Sequence, residues 1–174
     1  MKVLLINGSP HEKGCTYTAL SLVAEELNAC GVETEILSVG TKPVGGCIGC
    51  GGCAKGSGCV FGGVVNEAIE KAKTADGFVF GSPVHYASAS GNMTSFMDRL
   101  SYAGGKYLAY KPAAICCSAR RAGTTATLDQ LAKYPEFFHM PLVSGSYWPM
   151  VHGSAPEQVL QDQEGCAVMR ELGR

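Results

Sequence analysis

Apolar and polar positions along the chain switch between two spacings. Residues 2–7 hold an almost unbroken apolar run, Val3-Leu4-Leu5-Ile6, closed by Gly8-Ser9-Pro10. That is the pattern of a central strand buried on both faces. Leu20, Val23, Ala24 and Leu27 then recur at helical spacing, which predicts a helix over about 16–29 with Gly31 as its stop. Residues 33–39 alternate and read as an edge strand. Ala68, Ile69 and Ala72 share one face of a second helix over 65–75. A third strand is predicted at 77–81, ending in Ser82-Pro83, and a helix at about 90–102. A strand at 112–117, a helix at 124–134, a fifth strand at 140–143 and a last helix at 156–172 complete the series.

This alternation predicts right-handed crossovers and an α/β fold with helices on both faces of a parallel sheet. Five strands suggest a doubly wound, flavodoxin-like sheet in the order 2-1-3-4-5, whose ligands sit at the switch point beyond strands one and three. The 174 residues show no repeat, linker or low-complexity tract, so one domain over 1–174 is expected.

Composition narrows the function classes. With 46% apolar and 17% charged residues, the chain does not resemble a disordered one. Its net charge is −1 and no Lys/Arg run occurs, so neither nucleic acid nor an anionic membrane surface is an expected partner. No apolar run approaches the roughly 20 residues needed to span a bilayer. The amino terminus reads directly into a strand, without a signal-peptide pattern, and a cytoplasmic protein is expected.

Three loops leave strands at their carboxyl ends and so share one rim. The first, Gly8-Ser9-Pro10-His11-Glu12-Lys13-Gly14-Cys15-Thr16-Tyr17-Thr18, is rich in hydroxyls and opens a helix, whose free N–H groups favour phosphate. It matches neither GxGxxG nor a P-loop, and suits a terminal monophosphate; an ordinary turn capped by Thr16 is the plainer alternative. The second, Ser82-Pro83-Val84-His85-Tyr86-Ala87-Ser88-Ala89-Ser90-Gly91, offers small residues and planar side chains against which a flat heterocycle could stack. A surface loop capped by Ser90 is its plainer reading. The third, Ser118-Ala119-Arg120-Arg121-Ala122-Gly123, brings two guanidinium groups to the rim, suited to negative charge on a reduced flavin or simply to solvent.

As an ordered set, Gly8-Ser9-Pro10, Gly14-Cys15-Thr16, Ser82-Pro83-Val84-His85-Tyr86 and Phe96-Met97-Asp98-Arg99 resemble the NADPH-dependent FMN reductase family. Similarity continues through Arg120-Arg121-Ala122-Gly123-Thr124, Tyr147-Trp148 and Gln161-Asp162-Gln163-Glu164-Gly165. The resemblance implies an FMN phosphate held by Ser9, His11, Thr16 and Thr18. The ring would lie against Pro83, Val84, His85, Tyr86 and Ser88, with contacts from Ser118, Arg120 and Gly123. It also implies NAD(P)H as co-substrate, a small electron acceptor such as a flavin or quinone, and a homodimer in which Tyr147-Trp148 could approach a neighbouring flavin. Trp148 could equally pack in the core. No general base of the hydrolytic kind is expected. His11 replaces the usual Arg or Lys, Cys15 replaces a common Asn, and the last helix stops early at Arg174.

Nine cysteines in a chain without an export signal favour metal or redox use over a disulfide framework. Cys47, Cys50, Cys53 and Cys59 crowd into a glycine-rich loop at 45–60, which makes the chain similar to the branch of the family that contains iron–sulfur flavoproteins. Their spacing could wrap a [4Fe-4S] cluster, hold zinc or support thiol–disulfide exchange. They could also be small packing residues without metal. Gly63-Val64 replaces an acidic pair that often follows the quartet, and the last gap is long, which tilts the sequence reading toward no metal. A non-enzymatic electron carrier between protein partners is the alternative function. Most of the other cysteines, Cys15, Cys30, Cys116, Cys117 and Cys166, read as buried packing residues.

Overall fold

The computed structural model describes residues 1–56 and 58–174. In chain order the first half holds β1 (Lys2–Asn7), α1 (Cys15–Ala29), β2 (Glu33–Ser38), a 3-10 turn (Gly52–Lys55), α2 (Val64–Ala72) and β3 (Gly77–His85). There follow β4 (Ser88–Ala89), α3 (Gly91–Leu108), β5 (Ala113–Ala119), α4 (Thr124–Phe137), β6 (Met150–His152), α5 (Pro156–Val159) and α6 (Gln163–Gly173). The sheet order is β2-β1-β3-β5-β6, all parallel, and the two-residue β4 folds back antiparallel on the end of β3. Without that short arm, the five parallel strands follow the order that the sequence predicts.

The two-residue period of the strands divides the core. Leu4, Ile6, Phe78, Phe80 and Ile115 face α2, α3 and α4 through Ile69, Met93, Phe96, Met97 and Leu131. Leu5, Val79, Ala114 and Cys116 face α1 and α6 through Leu20, Val23 and Met169. Each of the Leu, Ile, Val, Phe and Met side chains among these stabilises the fold by about 1.5–3 kcal/mol on full burial. Packing on both faces is why β1 reads as a continuous apolar run. It also explains the inert thiols: burial pushes Cys117 up to about 12 and Cys116 higher still, with Cys117 beside it adding a little.

Three expectations need correction. Residues 140–143 do not form the fifth strand. They make one bridge, Leu142 to Ala113, and the outer strand is β6, beside residues 117–119 of β5. Pro141 has no N–H to donate, and Leu142 and Val143 stay partly exposed. The chain leaves the sheet edge, detours through 144–149 and returns where Cys117 N donates to Pro149 O (3.0 Å). Secondly, the last helix is broken: the short α5 ends at Val159, and Asp162 caps α6, accepting from Gly165 N at 3.0 Å. Thirdly, β3 does not stop at Ser82-Pro83 but runs to His85. Its pairing with β1 ends at Gly81, so Pro83 sits where no donor toward β1 is needed.

Candidate functional site

The three rim loops meet and are bonded to one another. Thr16 Oγ1 and Ser118 Oγ share a hydrogen bond of 2.8 Å, joining the first loop to the third. Ser90 Oγ donates to Gly8 O (2.7 Å), and Ser90 N donates to Ser82 Oγ (3.0 Å), joining the first loop to the second. Gly123, at φ +92°, lies so close to the second loop that a Cβ there would sit 2.7 Å from Ala87 Cα. Only glycine satisfies both that backbone angle and that approach.

In the first loop, Thr16 is not the helix cap. The cap position is Gly14, which has no side chain to offer, and the first turn of α1 carries no acid. Among the described residues the leading N–H groups of α1 therefore have no side-chain acceptor, an arrangement that favours an anion. Asn7 Oδ1 accepts from Ser9 N (3.1 Å) and Ser9 Oγ from His11 N (3.1 Å), which curls the loop over the helix start. The Ser9 hydroxyl proton and one proton of the Thr16–Ser118 pair remain free to donate. Thr18 differs, because its hydroxyl donates to Gly14 O (3.2 Å). A Cβ on Gly14 would lie 2.9 Å from His11 Cβ, so glycine leaves the loop its tight path. The His11 side chain is exposed.

The second loop is a tight hairpin. Val84 pairs with Ala89 and His85 with Ser88, leaving Tyr86 (φ +52°) and Ala87 (φ +58°) as the two turn residues. His85 and Tyr86 project into solvent, while Pro83, Val84 and Ser88 are partly buried. Gln130 of α4 holds the returning arm: its Oε1 accepts from Ser88 Oγ and from Ala89 N, both at 2.8 Å. In the third loop Arg120 and Arg121 are exposed, and Ser118 is buried beneath them. Tyr147 and Trp148 stack edge to face, with centroids 4.8 Å apart. Trp148 is 55% exposed, so the core-packing alternative does not hold.

The cysteine loop packs against α3 instead. Cys47, Cys50, Cys53 and Cys59 all line one cavity of about 280 Å³, together with Arg99 and Tyr102 of α3. Ser57, within the 45–60 loop, lies outside the described residues. Cys53 sits on the 3-10 turn, between Gly51 (φ +68°) and Gly56 (φ +80°), whose left-handed backbones reverse the chain on either side. Asn66 of α2 grips Cys59 from both sides, accepting from its N–H (2.8 Å) and donating to its carbonyl (3.0 Å). Arg99 Nε donates to Cys59 Sγ (3.2 Å). Among the described residues no three His, Cys, Asp or Glu side chains are gathered closely enough to hold a metal ion. A zinc ion would need its sulfurs about 2.3 Å from one centre. A cluster is larger and would sit in the space between thiols that share a cavity. The donor set of four thiols beside a buried guanidinium is chemically suited to an anionic iron–sulfur centre.

Residues 1–155 match the NADPH-dependent FMN reductase family. The chain belongs to that family. It is 34% identical to an iron–sulfur flavoprotein of Methanocaldococcus jannaschii, over all of this chain and 94% of that protein. An iron–sulfur flavoprotein of Archaeoglobus fulgidus is 30% identical, over 95% of this chain and 83% of its own length. Among solved structures, an NAD(P)H:quinone oxidoreductase from Methanothermobacter marburgensis superposes with a TM-score of 0.74 at 16% identity, covering 100% of this chain and 94% of that one. An archaeal flavodoxin superposes with a TM-score of 0.64 at 14% identity, covering 99% and 96%. These two likenesses establish the flavodoxin-like fold. Family membership makes this an oxidoreductase of the FMN-binding kind.

Sequence reasoning missed Gln130 and Asn92, polar residues on helices that hold loops distant in sequence, and Asn66, which holds the cysteine loop just before its own helix. Asn92 Nδ2 donates to Lys42 O (3.1 Å), and its Oδ1 accepts from Val44 N (3.2 Å), pinning the chain just before the cysteines. Arg99 left a readable signal: it follows Phe96 by three positions, placing a charge beside the buried face of its helix.

Proposed function

We propose that the protein is an FMN-dependent oxidoreductase of the iron–sulfur flavoprotein type. FMN occupies the rim formed by the loops after β1, β3 and β5, and the quartet of cysteines holds a [4Fe-4S] cluster. The observation that carries this reading is the pair of separate, chemically distinct sites. One is a helix start without acid or side-chain cap beside three interlocked loops; the other is a cavity lined by four thiols. FMN supplies chemistry in steps of one or two electrons, and the cluster supplies one-electron exchange. The chain's own part is to bind and orient. The α1 N–H groups with Ser9 and Thr16 take the phosphate, Pro83, Val84 and Ser88 form the wall for the ring, and Tyr86 and His85 cover its edge. Arg120 and Arg121 stand where negative charge on a reduced ring is stabilised.

Electrons come from NADH or NADPH and go to a small acceptor such as a flavin or quinone. The two iron–sulfur flavoprotein relatives support the cluster over a metal-free loop. Anaerobic purification tests the reading on three counts: FMN bound far more tightly than riboflavin, about four irons and four sulfides per chain, and steady-state NAD(P)H oxidation with a simple acceptor. Flavin and cluster without such turnover would instead favour a carrier between protein partners. Equal affinity for FMN and riboflavin would refute the phosphate site. The dimer implied by the family resemblance is checked by the mass in solution.

A further inference from the structure

The cysteine cavity contains a buried charge with no opposite partner. Arg99 is only 6% exposed, and among the described residues no carboxylate pairs with it. Its neighbour Asp98 accepts instead from Tyr134 Oη (2.7 Å). The guanidinium spends its donors on three groups of the cysteine loop: Nη1 on Gly45 O (3.3 Å), Nη2 on Gly62 O (2.9 Å) and Nε on Cys59 Sγ. The Phe61 ring lies against it, 5.4 Å from centroid to guanidinium carbon. Removing a guanidinium from water with only carbonyls and a sulfur as partners is unfavourable unless negative charge is placed beside it.

Gly45 precedes the first cysteine and Gly62 follows the last. A single side chain from α3 thus staples both ends of the segment that carries the quartet. We propose that Arg99 is a positioning residue for the iron–sulfur cluster. It closes the loop into a thiol-lined cavity, hydrogen-bonds the fourth ligand's sulfur, and offsets the negative charge of the thiolate-bound centre. This rests on the cluster reading given above. Hydrogen bonds to sulfur and local charge are among the factors that set such a centre's potential. A buried cation favours the more negative, reduced state, so its loss lowers the midpoint.

The test compares wild type, Arg99→Gln and Arg99→Lys, purified anaerobically and reconstituted with ferrous iron and sulfide. FMN content reports folding, because among the described residues the hydrogen-bond partners of Arg99 all lie in the cysteine loop and none in the rim loops. Iron and sulfide per chain, the rate of iron loss to a chelator, and the cluster midpoint from an EPR-monitored titration are then measured. In Arg99→Gln the reduced-to-oxidised ratio at a fixed potential should fall at least tenfold, about 59 mV for one electron, and iron should leave faster. Arg99→Lys keeps the charge but not the planar fork, so it should hold its midpoint nearer wild type while losing iron faster. Arg99→Gln with full FMN, full iron, wild-type midpoint and wild-type iron retention would overturn the proposal. Should Arg99→Gln fail to bind FMN, Arg99→Lys decides through its iron retention. Wild type that binds FMN but takes up no iron and sulfide would overturn the cluster reading itself, a result distinct from a variant that behaves like wild type.

Discussion

Thr16 and Ser118 are 102 residues apart in sequence and 2.8 Å apart at their hydroxyls, both buried. Their bond ties the start of α1 to the end of β5. Thr16→Val removes one partner and leaves the Ser118 hydroxyl buried and unpaired, a loss of about 1–3 kcal/mol. FMN affinity should fall about tenfold or more, with the fold retained. Ser118→Ala should do the same, and the double variant should be little worse than either single one. Fully additive losses in a flavin fluorescence titration would show that the two hydroxyls act independently. Arg120 and Arg121 belong to the same scale. Their replacement by Gln should lower the flavin's reduction potential, because cations that favour the reduced anion are lost. Both are exposed, so the shift should shrink at high salt, where the Debye length falls to about 3 Å at 1 M. An unchanged potential at low salt would mean that the arginines face only water. Residue types at the rim were legible in the sequence, because strand ends and hydroxyl-rich turns mark themselves. Which hydroxyl bonds which was not, since that depends on loops distant in sequence.

At the scale of elements, the hairpin between β3 and β4 is held in an unfavourable backbone. Two-residue turns of this hand prefer Asn-Gly, yet here they carry Tyr86 and Ala87 at positive φ. Holding a non-glycine residue there costs about 1–2 kcal/mol, offset by the Gln130 bonds and by the close approach of Gly123. Ala87→Gly should therefore raise stability by about 1 kcal/mol, read as a higher denaturant midpoint. A lower midpoint would mean that the Ala87 methyl contributes packing that outweighs the strain. A second element-scale device lies at the other end of the sheet. Lys2 of β1 and Lys71 of α2 flank Glu35 of β2 at 2.9 and 2.6 Å. The Lys71 and Lys2 hydrogen bonds hold the Glu35 carboxyl below its ordinary value of 4.5. Its contribution is thus present above that value and is lost as pH falls through the lowered one. Glu35→Gln should destabilise modestly at pH 7 and by less at pH 2.5, by urea unfolding at both. A constant difference would assign the effect to packing. Strand and helix order was legible because apolar spacing survives any tertiary context. The split edge was not: 140–143 carries a strand-like pattern, but Pro141 and the detour through 144–149 move the pairing on to 150–152.

At the scale of the whole molecule, α3 relates the two sites. Its cap residue, Ser90, is bonded to the first and second rim loops, and Arg99, nine residues on, is bonded to the cysteine loop. At 1.5 Å per residue the helix sets these two anchor points about 14 Å apart along its axis. The sites share a helix but no loop, since the rim is built from the segments after β1, β3 and β5 and the cysteines follow β2. Loss of one cofactor should therefore leave the other in place. Cys53→Ser removes one of the four thiols that line the cavity and should abolish iron and sulfide while FMN affinity stays within about twofold of wild type. Gly14→Leu should do the opposite, because any side chain there meets His11 Cβ at 2.9 Å and distorts the phosphate loop. It should lose FMN about tenfold or more and keep its iron. Flavin absorbance, iron and sulfide measured on the two purified variants give a two-by-two pattern that only separate sites produce. If Cys53→Ser also lost FMN, the cysteine loop would be part of the flavin site, and the division of labour argued from α3 would be wrong.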